Sequence, residues 1–573
     1  MHDVEAALDL SHRSDPENVF DKASVAAPPL PAGALAALAA LALEACGGDA
    51  ATSPAPVAAP VVVPVAKLAA PVAARFLGQA TMGATDADIA HVQTVGFDAW
   101  LIEQFGTARA TAHYDWLIAG NYNAVANINS EAGYDASVWR QLIGGTDQLR
   151  QRVGMALLDY IVVGIDGVTS NWRAFAAAAY LDVLMDNAFG NYRTLLDQIT
   201  TNAAMAYFLT YLNNNKANAA TGSVPDENYA RELMQLFTLG LYQLNADGSL
   251  KLVNGAPVET YTQADVSGIA QVWTGWVLDS ADSTTPDRYR RPLINNAALH
   301  EPGAKVFLGT TIPAGTSGVD SKKLALDVIF LHANIAPFVA KQLIQRLVTS
   351  NPSAAYVGRV SAVFADNGSG VRGDLKAVVR AVLLDGEARD DVAAATSTRA
   401  GKLREPFARL TSWARAFGAT SPLDAWPIGD TSSSAGRLAE SPGRSQSVFG
   451  WFRPGYTPPS SAISTAGLVA PELQLTSEPT VIAYINYMQS LVSNGAGDFK
   501  ADYTAILTKA ANSQMLLDAV NLTLAAGQVS AATIAQFKTA VDSISGATAA
   551  GALNRVYTAV MLTLASPEYL VLK

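Results

Sequence analysis

Apolar residues recur at intervals of three and four positions along most of the chain after about residue 70. This spacing places side chains on one face of an α-helix, whereas the alternating β-branched runs typical of strands are scarce. Alanine and leucine dominate these segments, and clusters of glycine, proline and polar residues separate them. The pattern predicts a mainly α fold, a large multi-helix, bundle-like domain with long functional loops and few or no strands.

The clearest pair of predicted helices lies between Pro225 and Val277. In the first helix Asp226 is the predicted N-cap and Gly240 the predicted left-handed stop. The second helix opens on Thr262 and Asp265, which have the spacing of a capping box. The apolar positions at helical spacing are Tyr229, Leu233, Leu236, Phe237, Val266, Ile269, Val272, Trp273 and Trp276. We predict that the two segments form a helical hairpin in the core.

The polar face of this hairpin carries more ionisable side chains than a core segment normally holds. Glu227 and Arg231 lie four residues apart and are predicted to pair. Glu232 and Asp265 are candidate catalytic carboxylates, because two acids that face one cleft can divide the roles of general acid and base. Arg231 is also a candidate binding residue. The alternative is that these charges are ion-paired for packing alone.

A turn at residues 299–309 carries a second group of candidate residues. His300 and Glu301 are candidate catalytic residues and Lys305 is a candidate binding residue, because they surround a Pro-Gly pair in a non-helical segment. Chemistry is often placed on such surface turns. The alternative is an exposed loop whose polar side chains are simply solvated.

Aromatic residues complete the candidate binding set. Trp276 ends the predicted hairpin, and Trp451 and Tyr456 lie in a loop in which glycine, proline and aromatic residues alternate. That composition is typical of a pocket rim or a rigid lid. We therefore interpret these three side chains as candidate walls of a binding cleft.

Composition and charge exclude several classes of function. The 573 residues include 39 basic and 50 acidic side chains, and the net charge of −11 argues against a nucleic-acid partner. One cysteine excludes a disulfide within the chain and a thiolate cluster, and the spacing of the six histidines does not fit a His-rich site, so we predict no metal site. The alternative is a hard cation held by one histidine and carboxylates. A Gly-x-Ser-x-Gly elbow, a P-loop and a dinucleotide fingerprint are also missing from the sequence. The cofactor, if one exists, stays open.

The N-terminal region resembles an export signal. Residues 33–45 are too short to span a bilayer, which takes about 20 residues, but they fit the apolar core of a signal peptide. The stretch ends in Leu43-Glu44-Ala45-Cys46, which resembles the lipobox of bacterial lipoproteins and predicts lipidation of Cys46. Glu44 is unusual at that position, and the preceding segment is long and acidic. The alternative is an Ala/Leu helix with a buried cysteine.

These patterns predict the order of domains along the chain. Residues 1–46 are predicted to be a disordered start plus a lipoprotein signal, and residues 47–70 a tether of Ala, Pro and Val. Residues 71–573 are predicted to form a single large helical domain, with a possible internal boundary near residues 389–400. This organisation places the protein outside the cytoplasm, in the periplasm or at the outer membrane, held to the membrane by the lipid anchor alone.

The chain contains, in this order, the segments Arg75–Ala84, Asn228–Leu233, Phe237–Gly240, Tyr261–Val266, Thr274–Trp276, Lys305–Gly309, Arg404–Pro406 and Val448–Gly450. Together they resemble the bacterial domain-of-unknown-function 1800 family over roughly residues 70–573. The resemblance implies an exported, mainly helical protein, and the placement of the family's genes beside those of a second exported family implies a protein partner. It implies no established reaction. Phe237 stands where many members have histidine, and His300-Glu301 where a His-Asp pair is usual.

Two hypotheses for the function follow. The first is a binding or assembly component of the cell envelope, lipid-anchored and helical, that acts with an exported partner protein. The second is an envelope hydrolase that uses carboxylate acid/base chemistry around Glu232, Asp265, His300 and Glu301. A pocket on which these four residues converge would favour the enzyme. An arginine partner for each of them, away from any cleft, would favour the binding protein.

Overall fold

A computed structural model describes residues 67–573. The predicted signal segment, Cys46 and most of the predicted tether lie outside the described residues. Residues 67–573 pack as one compact unit, which includes the segment 389–400. With 53% helix and 6% strand, the fold class is mainly α, as predicted.

The first part of the described chain is entirely helical. Its helices begin at side-chain caps such as Thr85, which accepts a hydrogen bond from Asp88 N, and Asn202, which accepts from Ala204 N and Met205 N. The α-helices are α1 (Ala70–Ala80), α2 (Asp86–Val95), α3 (Phe97–Gly106), α4 (His113–Ala119), α5 (Tyr134–Gly144), α6 (Gln148–Leu158), α7 (Arg173–Asn187), α8 (Tyr192–Thr200) and α9 (Ala203–Phe208).

The remaining helices form the middle and the C-terminal parts of the bundle. In the middle lie α10 (Asn228–Glu232), the π-helix Leu233–Thr238, α11 (Gln263–Ala270), α12 (Gly318–Leu331), α13 (Ile335–Leu347), α14 (Ala354–Ala365), α15 (Leu375–Leu384), α16 (Gly386–Arg389), α17 (Asp391–Thr396) and α18 (Pro406–Ala416). The C-terminal part contains α19 (Ala462–Thr465), α20 (Glu478–Asn494), α21 (Thr504–Leu507), α22 (Ser513–Ala525), α23 (Ala531–Asp542), α24 (Ala549–Ala565) and α25 (Pro567–Leu570).

The strands within residues 67–573 are short and pair only as antiparallel couples. β7 and β8 join the segment before α18 to the end of the chain, and Arg404 N donates to Leu570 O at 2.7 Å beside them. The couples are β1 (Leu252–Val253) with β2 (Ala256–Pro257), β3 (Trp276–Val277) with β4 (Ile294–Asn295), β5 (Lys305–Phe307) with β6 (Thr310–Ile312), and β7 (Lys402–Leu403) with β8 (Val571–Leu572).

Helix α7 lies at the centre of the N-terminal core. Most of its residues are buried, including the alanine run at residues 176–179, which is expected for a helix surrounded by others. It packs against α4, α6, α8 and α9. On α6, a Cβ atom at Gly154 would lie 2.3 Å from Met185 Sδ of α7, so glycine permits this close helix contact. Small residues thus let the helices approach around one interior.

The predicted hairpin is present, but its first helix is not a regular α-helix. α10 lies against α11, and Gly240 has φ +76°, as predicted for a left-handed stop. The prediction of one helix up to that stop is wrong, because the turns after Glu232 are a π-helix. In it Thr238 Oγ1 donates to Leu233 O five residues back, at 2.5 Å. Side-chain periodicity cannot reveal such a widened turn.

Among the described helices, none is by itself both long and apolar enough to cross a bilayer. α12 and α13 pass that length and composition test only when taken together, and they meet at an angle of 75°.

Candidate functional site

The two helices of the hairpin are joined by polar contacts at their exposed edge. Glu227 Oε2 accepts a hydrogen bond from Gln263 Nε2 (2.8 Å), and Glu227 Oε1 accepts one from Ser267 Oγ (2.6 Å). Arg231 Nη2 lies 3.2 Å from Glu227 Oε2 and donates to Gln263 Oε1 at 3.0 Å. The predicted Glu227–Arg231 pair is confirmed. The contact between the helices, however, is made by the neutral Gln263 and Ser267.

The carboxylate of Asp265 has a structural role at the start of α11. The predicted capping box is present, and Asp265 Oδ2 accepts from Thr262 N at 2.7 Å. Its Oδ1 accepts from Leu308 N at 2.6 Å, which ties α11 to the turn between β5 and β6. Partial burial alone would raise the pKa of Asp265, but these hydrogen bonds lower it. Both carboxylate oxygens are therefore occupied by the protein itself.

Glu232 has a different environment, although it lies on the adjacent helix. It is 8% exposed at the junction of α10 and the π-helix, and its Oε2 has no hydrogen-bond partner within residues 67–573. Burial raises the pKa of Glu232 to about 7, and the charge of Arg231 lowers it only in part. Short π-helical segments often occur at functional sites. The expectation that this acid is ion-paired is wrong, because burial rather than pairing controls its ionisation.

His300 is buried rather than solvated. It is 5% exposed, and its Nδ1 lies 3.0 Å from Thr274 O and 3.2 Å from Thr274 Oγ1. Burial lowers the pKa of His300, so the imidazole is held in its neutral form. Its Nε2 has no partner in the described part of the chain.

The neighbouring charges of this turn are also bound to the backbone. Glu301 accepts hydrogen bonds from Gly303 N (3.0 Å) and Ala217 N (3.3 Å). Lys305 is fully buried, and its Nζ donates to the carbonyl oxygens of Glu301 (2.8 Å) and Gly303 (3.2 Å). The alternative of a loop with solvated polar residues is therefore wrong for His300 and Lys305.

The three aromatic candidates do not form one wall. Trp276 is buried in the core, where its Nε1 donates to Val272 O at 3.3 Å and the ammonium of Lys322 lies 5.5 Å from its ring centre. Trp451 lines a small cavity with other residues, and its Nε1 donates to Ser441 O at 3.0 Å. Tyr456 is half-buried in the same loop, where its backbone N donates to Arg453 O.

Three of the four candidate catalytic residues thus have local hydrogen-bond partners, and Glu232 has none within residues 67–573. Asp265 and Glu301 accept backbone N–H groups, and His300 contacts Thr274, so their polar atoms serve the packing of β5 and its neighbours. Glu232 alone among these four combines burial, a free oxygen and a pKa about 7. Within residues 67–573, no group of three or more His, Cys, Asp or Glu side chains has the geometry to hold a metal ion.

A feature that the sequence analysis missed projects from the end of this hairpin. Residues 241–260, here called the ribbon, fold back on themselves through backbone hydrogen bonds. Gln243 N donates to Val258 O (2.8 Å) and Lys251 N donates to Gln243 O (2.8 Å). The far turn is made by Asn254 (φ +53°) and Gly255 (φ +81°), as in a type I′ turn. The Asn-Gly dipeptide was the sequence signal for this hairpin.

Asn334 anchors the base of the ribbon to the start of α13. Its side chain is 1% exposed, and Nδ2 donates to Tyr242 O (2.8 Å) and Leu239 O (3.0 Å). Its Oδ1 accepts from Leu244 N at 3.0 Å. A single amide therefore satisfies three backbone groups of the chain entering the ribbon.

The ribbon exposes apolar side chains along its length. All residues of β1 and β2 are exposed to solvent. An isolated two-stranded hairpin is normally stable only when one of its faces packs against the rest of the protein. Leu331, three residues before Asn334 at the end of α12, is 70% exposed. The exposed fractions in the ribbon are 47% for Leu241, 38% for Tyr242, 44% for Leu250, 58% for Leu252 and 61% for Val253.

Comparison with known proteins identifies the family of this chain but assigns it no activity. Neither the curated proteins nor the solved structures contain a match to the chain. Residues 75–571 match the family described as "Protein of unknown function (DUF1800)". This match covers most of the chain and includes the hairpin, the ribbon and the buried turn. The chain therefore belongs to the DUF1800 family.

Proposed function

We propose that this protein is an exported binding or assembly component of the cell envelope that docks a partner protein through the ribbon. The observation that supports the proposal is an ordered hairpin whose leucine and valine side chains point into solvent. Clustered apolar surface of this kind is typical of protein interfaces. A protein partner is favoured over nucleic acid because the chain has a net charge of −11.

The anchoring of the ribbon supports the same proposal. Asn334 fixes its base, and the turn at Gly248 packs on α14, where an added Cβ would lie 2.8 Å from Val357 Cγ1. Within the ribbon, Leu252 and Val253 at the far end are the most exposed of the large apolar side chains. A surface that is held in place before binding loses less entropy when a partner covers it. The ribbon therefore has the properties of a preformed docking element.

The envelope-hydrolase alternative receives less support. A paired-carboxylate mechanism requires two acids with separated pKa values on one cleft. Glu232 has a raised pKa and Asp265 a lowered one, but Asp265 has both oxygens engaged by Thr262 and Leu308. Glu301 is likewise engaged by backbone N–H groups.

The experiment that tests the docking surface is co-purification of the full chain from detergent-solubilised membranes. We expect the double variant Leu252→Thr, Val253→Thr to lose a protein that the wild type retains, because threonine keeps the strand preference but removes apolar contact area. Ile102→Thr on α3 is the matched control, since Ile102 is 63% exposed and lies outside the ribbon. Retention of the same proteins by the ribbon variant and the wild type would contradict the proposal.

The export and anchoring part of the proposal rests on the Leu43-Glu44-Ala45-Cys46 sequence. We expect Cys46→Ser to move the protein from the membrane fraction to the soluble fraction, because a lipidated cysteine supplies the anchor in bacterial lipoproteins. Fractionation followed by detection of the protein measures this. A wild-type protein that is already soluble would refute the anchor without bearing on the ribbon.

A further inference from the structure

A small cavity lies where α1, α6, α18 and the β7–β8 pair meet. Three cationic side chains and one carboxylate line it: Arg152, Lys402, Arg404 and Glu405. Small residues such as Gly78 and Ser412 form the rest of the wall. The cavity volume of about 30 Å³ is enough for a small ion or a pair of water molecules, since one water needs roughly 10–15 Å³.

Both arginines that line the cavity have guanidinium N–H groups that donate no hydrogen bond to residues 67–573. Arg152 donates through Nη2 to Arg346 O (2.7 Å) and through Nε to Gln79 O (3.4 Å), which leaves Nη1. Arg404 donates through Nε to Tyr569 O (2.8 Å), which leaves both Nη atoms. The two residues are 5% and 8% exposed. Within residues 67–573, neither guanidinium lies within the 4.0 Å that defines an ion pair to a carboxylate.

Lys402 already uses its full set of donors. Its Nζ contacts Glu405 Oε1 (2.7 Å), Arg346 O (2.8 Å) and Glu472 Oε1 (3.2 Å). The two carboxylates nearest the cavity are therefore directed at Lys402. Arg152 is attracted by the charge of Glu405 but is not in ion-pair contact with it.

The other charges around the cavity do not cancel this excess. Burial, together with the neighbouring charges of Arg152 and Arg409, lowers the pKa of Arg404. Burial and the charge of Glu405 raise the pKa values of Asp159, to about 8, and of Glu440. The charged groups packed behind the lining residues are Asp159, Arg346, Arg409, Glu440 and Glu472. Buried cations in proteins normally have an anionic partner.

We propose that this cavity binds a small monovalent anion, of the size of chloride or bicarbonate, between Arg152 and Arg404. The free Nη groups supply charge-assisted hydrogen bonds to it. Chloride and bicarbonate both carry the single negative charge that these groups recognise. The inference does not depend on the ribbon or on a partner protein.

Thermal unfolding of the purified full chain tests the proposal. The protein is kept at constant ionic strength in sodium gluconate, whose anion is too large for the cavity, and gluconate is replaced stepwise by chloride or by bicarbonate. We expect a saturable rise in Tm with at least one small anion, because a ligand that binds only the folded state stabilises it. Equal Tm values in all three salts would overturn the proposal and leave water as the occupant.

Three variants locate the effect. Arg152→Gln is expected to raise the anion concentration at half-saturation about tenfold or more, which corresponds to the loss of about 1.4 kcal/mol of binding. Gly78→Ala keeps every charge but adds a methyl group beside Arg404 Nη1 and should weaken the response as well. Arg555→Gln is the matched control, because Arg555 also binds only backbone carbonyls but lies outside the cavity. A response that persists unchanged in both cavity variants would overturn the assignment.

Discussion

Glu232 and Asp265 lie on neighbouring helices and share one predicted role, yet the protein gives them opposite ionisation behaviour. Asp265 accepts backbone and side-chain hydrogen bonds that favour its charged form, whereas Glu232 is buried without a partner for Oε2. Sequence spacing placed both acids on the hairpin correctly. It could not show their partners, because Leu308 N comes from a turn more than forty residues away.

The behaviour of Glu232 predicts a specific pH dependence of stability. An acid whose folded pKa is raised to about 7 stabilises the fold fully below its unfolded pKa and loses that contribution as pH rises through 7. The shift corresponds to about 3 kcal/mol of stability that is present in acid and lost at alkaline pH. We therefore expect Glu232→Gln to gain stability relative to wild type between pH 5 and pH 8.5, as measured by urea unfolding.

Glu227→Gln supplies the control with the opposite sign. Hydrogen bonds from Ser267 and Gln263 and the charge of Arg231 lower the pKa of Glu227 despite some burial. Its contribution is present at neutral pH and is lost as pH falls through the lowered pKa. This variant should be less stable than wild type at pH 7, with a difference that shrinks in acid. A Glu232→Gln variant that follows the same trend would disprove the assigned environment of Glu232.

At the scale of elements, the hairpin was predictable and the ribbon attached to it was not recognised. Caps and apolar spacing identified α11 and the stop at Gly240, because these signals are local. The π-helix Leu233–Thr238 was not predicted, because the apolar spacing of this segment also fits a regular α-helix. The Asn254-Gly255 dipeptide indicated a hairpin in the ribbon. It did not indicate that the hairpin is exposed, because a buried hairpin has the same turn signal.

Asn334 provides a test of how the ribbon is held. Asn334→Ala removes the partners of Leu239 O, Tyr242 O and Leu244 N, and leaving such groups unpaired costs on the order of 3 kcal/mol. We expect amide hydrogen exchange within residues 241–260 to be faster in this variant than in wild type, whereas exchange in α7 stays unchanged. Asn351→Ala is the control, because Asn351 makes equivalent bonds to the backbone of Val469. Unchanged hydrogen exchange in the ribbon of Asn334→Ala would contradict the role of Asn334 and would show that the other contacts of the ribbon are sufficient to hold it in place.

At the scale of the whole molecule, the helical interior was predictable but its buried charges were not. Alanine and leucine spacing indicates a large α-helical core, which is what residues 67–573 form. The contact of Lys402 with Glu472, and that of Glu440 Oε2 with Phe407 N, join segments that are distant along the chain, whereas Lys402 and Glu405 lie only three residues apart. Amino-acid composition does not predict which residues make such contacts. The fold therefore combines a large helical core with an apolar ribbon on the surface.

The central claim is that the ribbon is covered by a partner protein in the cell. The most direct measurement is in-cell photo-crosslinking, with a photoreactive amino acid placed at position 253 of the ribbon or at the equally exposed position 102 of α3. The account predicts a discrete adduct with another exported protein from position 253 and none from position 102. The same adducts from both positions, or none from position 253 in intact cells, would contradict it.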